Sequence, residues 1–272
     1  MLLQRILVII VLLPIGLASI WFGGWFYLAV ILAFMGIAAW EYVQLFRSGG
    51  YQPAGILVVG GAVALVLGRA LTGFDSAPWI LSLLILLSMA WHLLAYERGR
   101  DPSATDFTAT LGGFMYIGWC GAYFVSLRSL PHGVWWVYLI LGSVWAADSA
   151  AYSVGIRWGR HKLAPRLSPK KSWEGYWGGV VGGTLMGVLL AWAFGAWTPA
   201  GPLFTPWRGA VVGFLLGVIP TLGDLGESMV KRQFGAKDSG NALPGYGGFF
   251  DRIDSWLWAV VIGYALVTLL FR

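Results

Sequence analysis

The chain has 272 residues, of which 58% are hydrophobic and only 11% are charged. Soluble domains carry about 25% charged residues, so this chain has too little polar surface to cover itself in water. At roughly 20 residues per span, its length leaves no room for a large catalytic domain outside the membrane. The net charge is +6, but no basic helix or basic–aromatic stripe lies outside the apolar segments. We therefore exclude nucleic acid as a partner.

Hydropathy and the punctuating Gly, Pro and charged residues divide the chain into about nine candidate membrane spans. The first is an apolar run without a small-residue cleavage site, so we interpret it as a retained span and not as a signal peptide. Runs this long and uniformly apolar do not suit the strands of a barrel. The predicted fold is an all-α, polytopic transmembrane helical bundle, with spans near 6–21, 25–46, 54–71, 78–96, 107–127, 133–157, 174–197, 209–230 and 255–271.

These spans predict a single integral membrane domain over residues 1–272. Its N-terminal helices occupy 1–130, and the helices and cytosolic loops that carry the candidate site occupy 131–272. Short cytosolic loops are enriched in Lys and Arg. Most of the 18 Lys and Arg residues fall at the N-terminus and in the even-numbered loops, the exceptions being Arg69, Arg128, Arg208 and Arg272. This bias predicts a cytosolic N-terminus, and it places loops 157–173 and 231–253 in the cytosol.

Closely spaced glycines mark the seventh and eighth predicted spans, in the strings GGVVGG and GAVVGFLLG. Small residues at such spacings let the backbones of membrane helices approach closely. We therefore predict that these glycines serve helix packing.

The acidic residues are unevenly distributed. We expect five of them to be ordinary solvated or interfacial groups, because they lie at span ends or in loops of the first half: Glu41, Asp75, Glu97, Asp101 and Asp106. The other seven lie within or beside the last four spans: Asp148, Glu174, Asp224, Glu227, Asp238, Asp251 and Asp254. Asp148 lies well inside an apolar run, where a carboxylate costs a few kcal/mol and usually faces a partner or a wet cavity.

Two pairs of acids have a spacing that places both members on one helix face. Asp224 and Glu227 are three residues apart near the cytosolic end of the eighth span, and Asp251 and Asp254 repeat this spacing at the start of the last. At one membrane depth these four groups would repel one another unless a divalent cation lay between them. Oxygen ligands without a His or Cys cluster favour Mg²⁺ or Mn²⁺. Helix capping is the alternative, but it does not explain all four acids.

Both long cytosolic loops are rich in basic residues. Loop 157–173 contains Pro165 and Pro169, which keep it from forming one continuous helix. Loop 231–253 contains five glycines, which permit close approach of the backbone to a ligand, and it alternates cations with carboxylates. Cations for phosphate oxygens and carboxylates for metals are the parts that phosphoryl transfer requires.

Two sequence blocks in the C-terminal half of the chain resemble those of a known family. The signature of the phosphatidate cytidylyltransferases, or CDP-diacylglycerol synthases, is closely matched by residues 227–255, ESMVKRQFGAKDSGNALPGYGGFFDRIDS. The family's second block is similar to residues 148–175, DSAAYSVGIRWGRHKLAPRLSPKKSWEG. One position departs from the pattern, since Tyr246 stands where the family has His. Tyr is neutral near pH 7, so a proton-transfer role of that His would be weakened here.

The resemblance implies that phosphatidic acid attacks the α-phosphorus of CTP, giving CDP-diacylglycerol and pyrophosphate, with Mg²⁺ required and a second cation left open. One substrate is a lipid and the other is a soluble nucleotide, so we expect the site at the cytosolic surface of the bilayer. The compact chain favours a bacterial inner membrane. A homodimer is left open.

Within this hypothesis, each candidate residue has a predicted role in metal binding, catalysis or substrate binding. The predicted metal ligands are Asp224, Asp251, Asp254 and Glu227. The predicted catalytic group consists of Asp224, Asp251, Asp254, Lys237, Asp238 and Asp148. The residues expected to hold the triphosphate and the lipid headgroup are Ser168, Lys170, Lys171, Ser228, Lys231, Arg232, Ser239 and Arg252.

Two other classes of protein fit part of the pattern. A secondary transporter would use intramembrane Asp148 and Gly-interrupted helices, but no inverted repeat is visible and the acids concentrate at one membrane face. A CDP-alcohol phosphotransferase also uses carboxylates and Mg²⁺, but the string DGxxAR that begins its hallmark is not present in this sequence. Pyrophosphate release that requires both lipid and metal distinguishes the cytidylyltransferase from both.

Overall fold

A computed structural model describes residues 2–240, 242–243, 245 and 247–271 of the chain. Tyr246 and Arg272, both named above, lie outside these residues. The described helices are α1 (Leu2–Phe22), α2 (Gly24–Ser48), α3 (Gly55–Thr72), α4 (Ala77–Glu97), α5 (Ser103–Gly113), α6 (Tyr123–Arg128), α7 (Gly133–Trp158), α8 (Trp173–Trp197), α9 (Pro206–Val218), α10 (Thr221–Gln233) and α11 (Phe250–Leu270). The other elements are a π-helical turn (Phe114–Trp119), a short 3₁₀ turn (Gly201–Leu203), and strands β1 (Lys162–Ala164) and β2 (Ser168–Ser172).

Seven helical segments of the described chain are long and apolar enough to cross a membrane. They are α2, α3, α4, α7, α8, α9 together with α10, and α11. The chain is therefore a helical integral membrane protein, as predicted. The other two predicted spans are helical as well: 6–21 lies within α1, and the π turn interrupts 107–127. The count of nine and the cytosolic N-terminus stay predictions.

The chain divides into two compact units. Unit 1 consists of Met1–Ser126 and Lys231–Ile253, and unit 2 consists of Leu127–Val230 and Asp254–Arg272. The polar loop 231–253 thus folds with the N-terminal helices, although it is distant from them in sequence.

Unit 1 contains an apolar cluster of Leu65, Leu84 and Phe114, which brings together α3, α4 and the π turn. A glycine allows one of these contacts, because a Cβ at Gly118 would lie 2.6 Å from the Cα of Ala62. These side chains fix the N-terminal helices against one another by burying apolar surface.

A buried carboxylate connects two loops of unit 1. Asp106 is 1% exposed and accepts hydrogen bonds from the Nε of Arg100 and the backbone N–H of Gln52, both at 2.8 Å. The hydrogen bond with Asp106 raises the pKa of Arg100 above its usual value. The prediction of a solvated or interfacial group is wrong for Asp106, because burial is tolerated once the charge is paired and hydrogen-bonded.

In unit 2, α8 packs closely against both α7 and α9 through its glycines. A Cβ at Gly187 would contact the carbonyl oxygen of Gly209 in α9, and a Cβ at Gly179 would lie 3.0 Å from the carbonyl oxygen of Ala147 in α7. The prediction that the glycines of these spans serve helix packing is confirmed at these positions.

Replacing Gly187 with Ala should destabilise unit 2 by about 1–3 kcal/mol, because the added methyl meets backbone that cannot rotate away. The measurement is the thermal unfolding midpoint of the protein in detergent. Gly60→Ala is the matched control, since a Cβ at Gly60 meets nothing within 4 Å. Equal midpoints for the two variants would contradict the packing argument.

The basic loop 157–173 forms an antiparallel hairpin in place of a helix, as its two prolines predicted. Lys162 pairs with Ser172, and Ala164 pairs with Ser168. Ser172 then caps α8, since its side chain accepts the N–H of Gly175 at 3.1 Å. The hairpin thereby fixes the residue before the cap, Lys171, close to the start of α8.

Candidate functional site

Four elements of unit 2 place charged side chains together. Asp254 of α11 is only 7% exposed, and its carboxylate interacts electrostatically with Asp224 of α10, Asp148 of α7 and Lys171 of β2. Close contact of α10 with α11 depends on a glycine, because a Cβ at Gly223 would lie 2.5 Å from the carbonyl oxygen of Asp254. Two acids from other helices therefore lie close enough to buried Asp254 to interact with it.

Lys171 provides the positive charge of this cluster. Its Nζ lies 2.5 Å from Oδ2 of Asp224, and the hydroxyl of Ser228 donates a hydrogen bond to Oδ1 of Asp224 at 3.4 Å. The side chains of Lys171 and Asp224 are 25% and 37% exposed, so water reaches this ion pair. Asp148, Asp224 and Asp254 outnumber this lysine, and a surplus of acidic side chains attracts a cation.

The donor chemistry of the cluster fits a hard divalent cation, since carboxylate oxygens are the ligands that Mg²⁺ prefers. Glu227 follows Asp224 by about one turn of α10 and is 1% exposed. Within the described part of the chain, however, no three His, Cys, Asp or Glu side chains have the close spacing of a formed metal site. The metal assignment for Asp224, Asp251, Asp254 and Glu227 stays a prediction, which rests on charge and ligand type.

A second set of predicted residues is organised around Asp251 in unit 1. Its Oδ1 accepts from the Nζ of Lys231 at 2.6 Å. Its Oδ2 accepts from the N–H of Ser239 at 2.9 Å, the hydroxyl of Ser239 at 3.0 Å and the N–H of Gly248 at 2.8 Å. The side chains of Lys231 and Asp251 are 10% and 5% exposed, so this ion pair is nearly dry. One carboxylate thus organises the fold of loop 231–253.

Sequence reasoning missed Glu41, which contacts this loop. Glu41 lies in α2 and is 4% exposed, so the prediction of a solvated or interfacial group is wrong for it. Its Oε2 accepts the N–H of Phe250 at 2.9 Å and the hydroxyl of Ser239 at 3.2 Å. The signal was present in the sequence, because the rule that singled out Asp148, a carboxylate inside an apolar span, applies equally to Glu41.

The remaining predicted residues lie nearer the surface of their units. Four of the basic residues are exposed: Lys170, Arg232, Lys237 and Arg252. Arg232 donates to the carbonyl oxygen of Ala236 at 2.9 Å. Exposed Asp238 lies beside Gly247, because a Cβ added at Gly247 would lie 3.2 Å from the Cβ of Asp238.

The predicted residues therefore form two sets. Those of unit 1 are Lys231, Arg232, Lys237, Asp238, Ser239, Asp251 and Arg252. Those of unit 2 are Asp148, Ser168, Lys170, Lys171, Asp224, Glu227, Ser228 and Asp254. Each set combines carboxylates with lysines and serine hydroxyls, the combination that phosphate-bearing substrates and their metal ions require.

Comparison with known proteins agrees with this chemistry. Residues 3–270 match the family described as the cytidylyltransferase family. A phosphatidate cytidylyltransferase of Pseudomonas aeruginosa is 35% identical, over 98% of this chain and 97% of the relative. One of Synechocystis sp. is 32% identical over 98% of this chain and 97% of the relative, and one of Mycobacterium leprae is 32% identical over 86% and 77%. The chain belongs to the cytidylyltransferase family.

Proposed function

We propose that the chain transfers the cytidylyl group of CTP to phosphatidic acid, giving CDP-diacylglycerol and pyrophosphate for phospholipid biosynthesis. The observation that carries the proposal is the match of nearly the whole chain to relatives named phosphatidate cytidylyltransferase. The helical membrane architecture supports it, because a site at the membrane surface is open to a lipid and to a soluble nucleotide.

The reaction is a displacement at phosphorus. A phosphate oxygen of phosphatidic acid forms a bond to the α-phosphorus of CTP, and the bond from that phosphorus to the oxygen bridging to the β-phosphorus breaks. Pyrophosphate leaves with the electron pair. No covalent intermediate with the protein is needed, because the lipid phosphate is already an anionic nucleophile. The protein must align two anions and reduce their repulsion.

Each set offers a basic side chain for this purpose. Lys171 is held beside α8 by the hairpin, and Lys231 is held by Asp251, so each presents an ammonium group at a fixed position. Ammonium groups held in place before the reaction stabilise developing charge without a cost of reorganisation. The hydroxyls of Ser228 and Ser239 donate to Asp224 and Asp251, and so help to hold these two carboxylates in place.

We also propose that the reaction depends on Mg²⁺. Asp224 and Asp254 are its leading ligands, and the acidic cluster of unit 2 supports this choice because its acidic side chains outnumber its one lysine. Bound Mg²⁺ would neutralise charge on the phosphate oxygens. Asp251 is a further predicted ligand of the ion.

The direct test uses purified protein in lipid nanodiscs with CTP, phosphatidic acid and MgCl₂. The expected result is pyrophosphate release together with a cytidine-labelled lipid, both lost when the lipid is omitted or the metal is chelated. Release of CMP from CDP-diacylglycerol with formation of a phosphatidyl-alcohol lipid, or metal-independent ion flux without pyrophosphate release, would favour the alternative classes.

Exposed Lys237 provides a test of substrate binding. Lys237→Ala should lower kcat/KM for CTP about tenfold, because one charge-assisted contact to phosphate is lost. Arg98→Ala is the control, since it also removes one exposed cation from unit 1. Steady-state kinetics measure both variants, and a wild-type kcat/KM in Lys237→Ala would remove this lysine from the site.

For location, we propose a bacterial inner membrane with the two long loops facing the cytosol. Trypsin should then cleave loop 231–253 in inverted vesicles but not in right-side-out vesicles. Cleavage in right-side-out vesicles alone would reverse the orientation. Light scattering of the detergent-solubilised protein distinguishes a homodimer from a monomer.

A further inference from the structure

Glu41 connects an N-terminal helix to both ends of the segment 239–250. Its Oε2 accepts hydrogen bonds from the hydroxyl of Ser239 and from the backbone N–H of Phe250. The other oxygen, Oε1, is buried and has no hydrogen-bond partner among the described residues. Glu41 is therefore a point of contact between α2 and this segment, made by hydrogen bonds to a buried carboxylate.

The backbone of the loop closes around this carboxylate. A Cβ at Gly240 would lie 2.6 Å from Oε1 of Glu41. A Cβ at Gly248 would contact both the Oγ of Ser239 and Oε2 of Glu41. Two glycines therefore let the loop backbone approach the carboxylate more closely than any other residue type allows.

A second contact fixes the start of the same loop to the end of α2. The ring of Phe234 packs against the rings of Phe46 and Tyr51, with centroids 4.8 Å and 5.8 Å away. Gly49 provides the space, because a Cβ there would contact the ring of Phe234. The loop is thus held to the C-terminal half of α2 by an aromatic contact and by hydrogen bonds to a carboxylate.

From these contacts we propose that Glu41 is a positioning residue for the cytidylyl transfer proposed above, on which this inference rests. Glu41 acts through Ser239 and the backbone of Phe250, and Ser239 in turn donates its N–H to Asp251. Asp251 holds Lys231. A residue of α2, far outside the signature, thereby sets the position of the charged groups in loop 231–253.

The test compares Glu41→Ala and Glu41→Gln in the full-length protein. The first readout is the rate of tryptic cleavage after Lys237, followed by mass spectrometry. Loss of hydrogen bonds to a buried charge should raise this rate about tenfold in Glu41→Ala. Glu41→Gln should show a smaller increase, because its amide oxygen still accepts from Ser239 and Phe250. Gly248→Ala should reproduce the increase, and it provides the test if Glu41→Ala does not fold.

The second readout is the division of the effect between kcat and KM. Glu41→Ala should lower kcat about tenfold with a smaller change in KM for CTP, and Glu41→Gln should recover part of kcat. Glu97→Gln is an exposed-acid control with wild-type kinetics and cleavage. Asp106→Asn is a buried-acid control that lowers thermal stability without a selective increase in cleavage at Lys237.

The two readouts test the positioning role of Glu41 separately from the proposed cytidylyl transfer. Wild-type cleavage and wild-type kcat in both Glu41→Ala and Gly248→Ala would overturn the positioning role, and so would a released loop with unchanged kcat. The cleavage readout requires no activity. A wild-type protein without cytidylyl transfer would therefore refute the proposed function, whatever the loop does.

Discussion

Asp224→Asn is expected to lower kcat at least about 100-fold while the protein stays folded. The size follows from the proposed metal site, since a metal ion supplies several kcal/mol of charge stabilisation and each 1.4 kcal/mol is a factor of ten in rate. The ion pair of Asp224 with Lys171 is partly exposed, at 37% and 25%, so its loss costs only about 0–1 kcal/mol of stability. This variant should therefore lose most of its activity while it keeps nearly all of its stability.

The measurements are turnover as a function of MgCl₂ concentration and the thermal unfolding midpoint. Asp224→Asn should need more Mg²⁺ for half-maximal rate, because a neutral amide is a weaker ligand than a carboxylate. Asp75→Asn, which removes an exposed acid from unit 1, should keep wild-type behaviour. Wild-type turnover of Asp224→Asn at limiting Mg²⁺ would refute the ligand assignment.

Asp251→Asn is expected to lose both stability and activity. Its partner Lys231 is only 10% exposed, so the substitution leaves a buried ammonium group without its carboxylate. Removing one partner of a buried ion pair costs about 3–5 kcal/mol. The loop would also lose part of the set of hydrogen bonds from Ser239 and Gly248 that organises it. Denaturation and turnover are measured on the same preparation.

The double variant Asp251→Asn with Lys231→Met tests whether the lost stability comes from breaking this buried ion pair. Replacing both members of a buried pair by groups of similar volume is often neutral for stability, so the double variant should recover most of the lost stability. Turnover should stay low, because the proposed ammonium contact to phosphate is gone. A double variant as unstable as Asp251→Asn would contradict the account of Lys231 as the uncompensated charge.

The helical membrane architecture was predictable because long apolar runs have few stable structures in lipid other than helices. The absence of a continuous helix in loop 157–173 was also predictable, since Pro165 and Pro169 interrupt a helix whatever surrounds them. By contrast, the burial of Glu41 and Asp106 was not predicted. Position near a span end suggested solvent, whereas Glu41 is held by Ser239 and Phe250 from a distant loop, and Asp106 is held by Gln52, 54 residues away, as well as by nearby Arg100.

The candidate acidic residues show the same difference between what local sequence predicts and what helix packing decides. Spacing along one helix placed Asp224 with Glu227 and Asp251 with Asp254, because helix periodicity is a local property. The partners of each acid depend on the packing of different helices. Asp224 pairs with Lys171 from the hairpin, and Asp251 is enclosed by its own loop. No local rule distinguishes these environments, one partly wet and the other nearly dry.

By itself, the sequence determined that this chain lies in a membrane, which of its segments are helical, and which signature places it among the cytidylyltransferases. These properties depend on composition, periodicity and local spacing. Only the tertiary structure decided that α2 holds loop 231–253 through Glu41, and that Lys231 is a buried partner of Asp251. The physical reason is that the free energy of a buried charge depends on which donors surround it, and those donors come from distant parts of the chain.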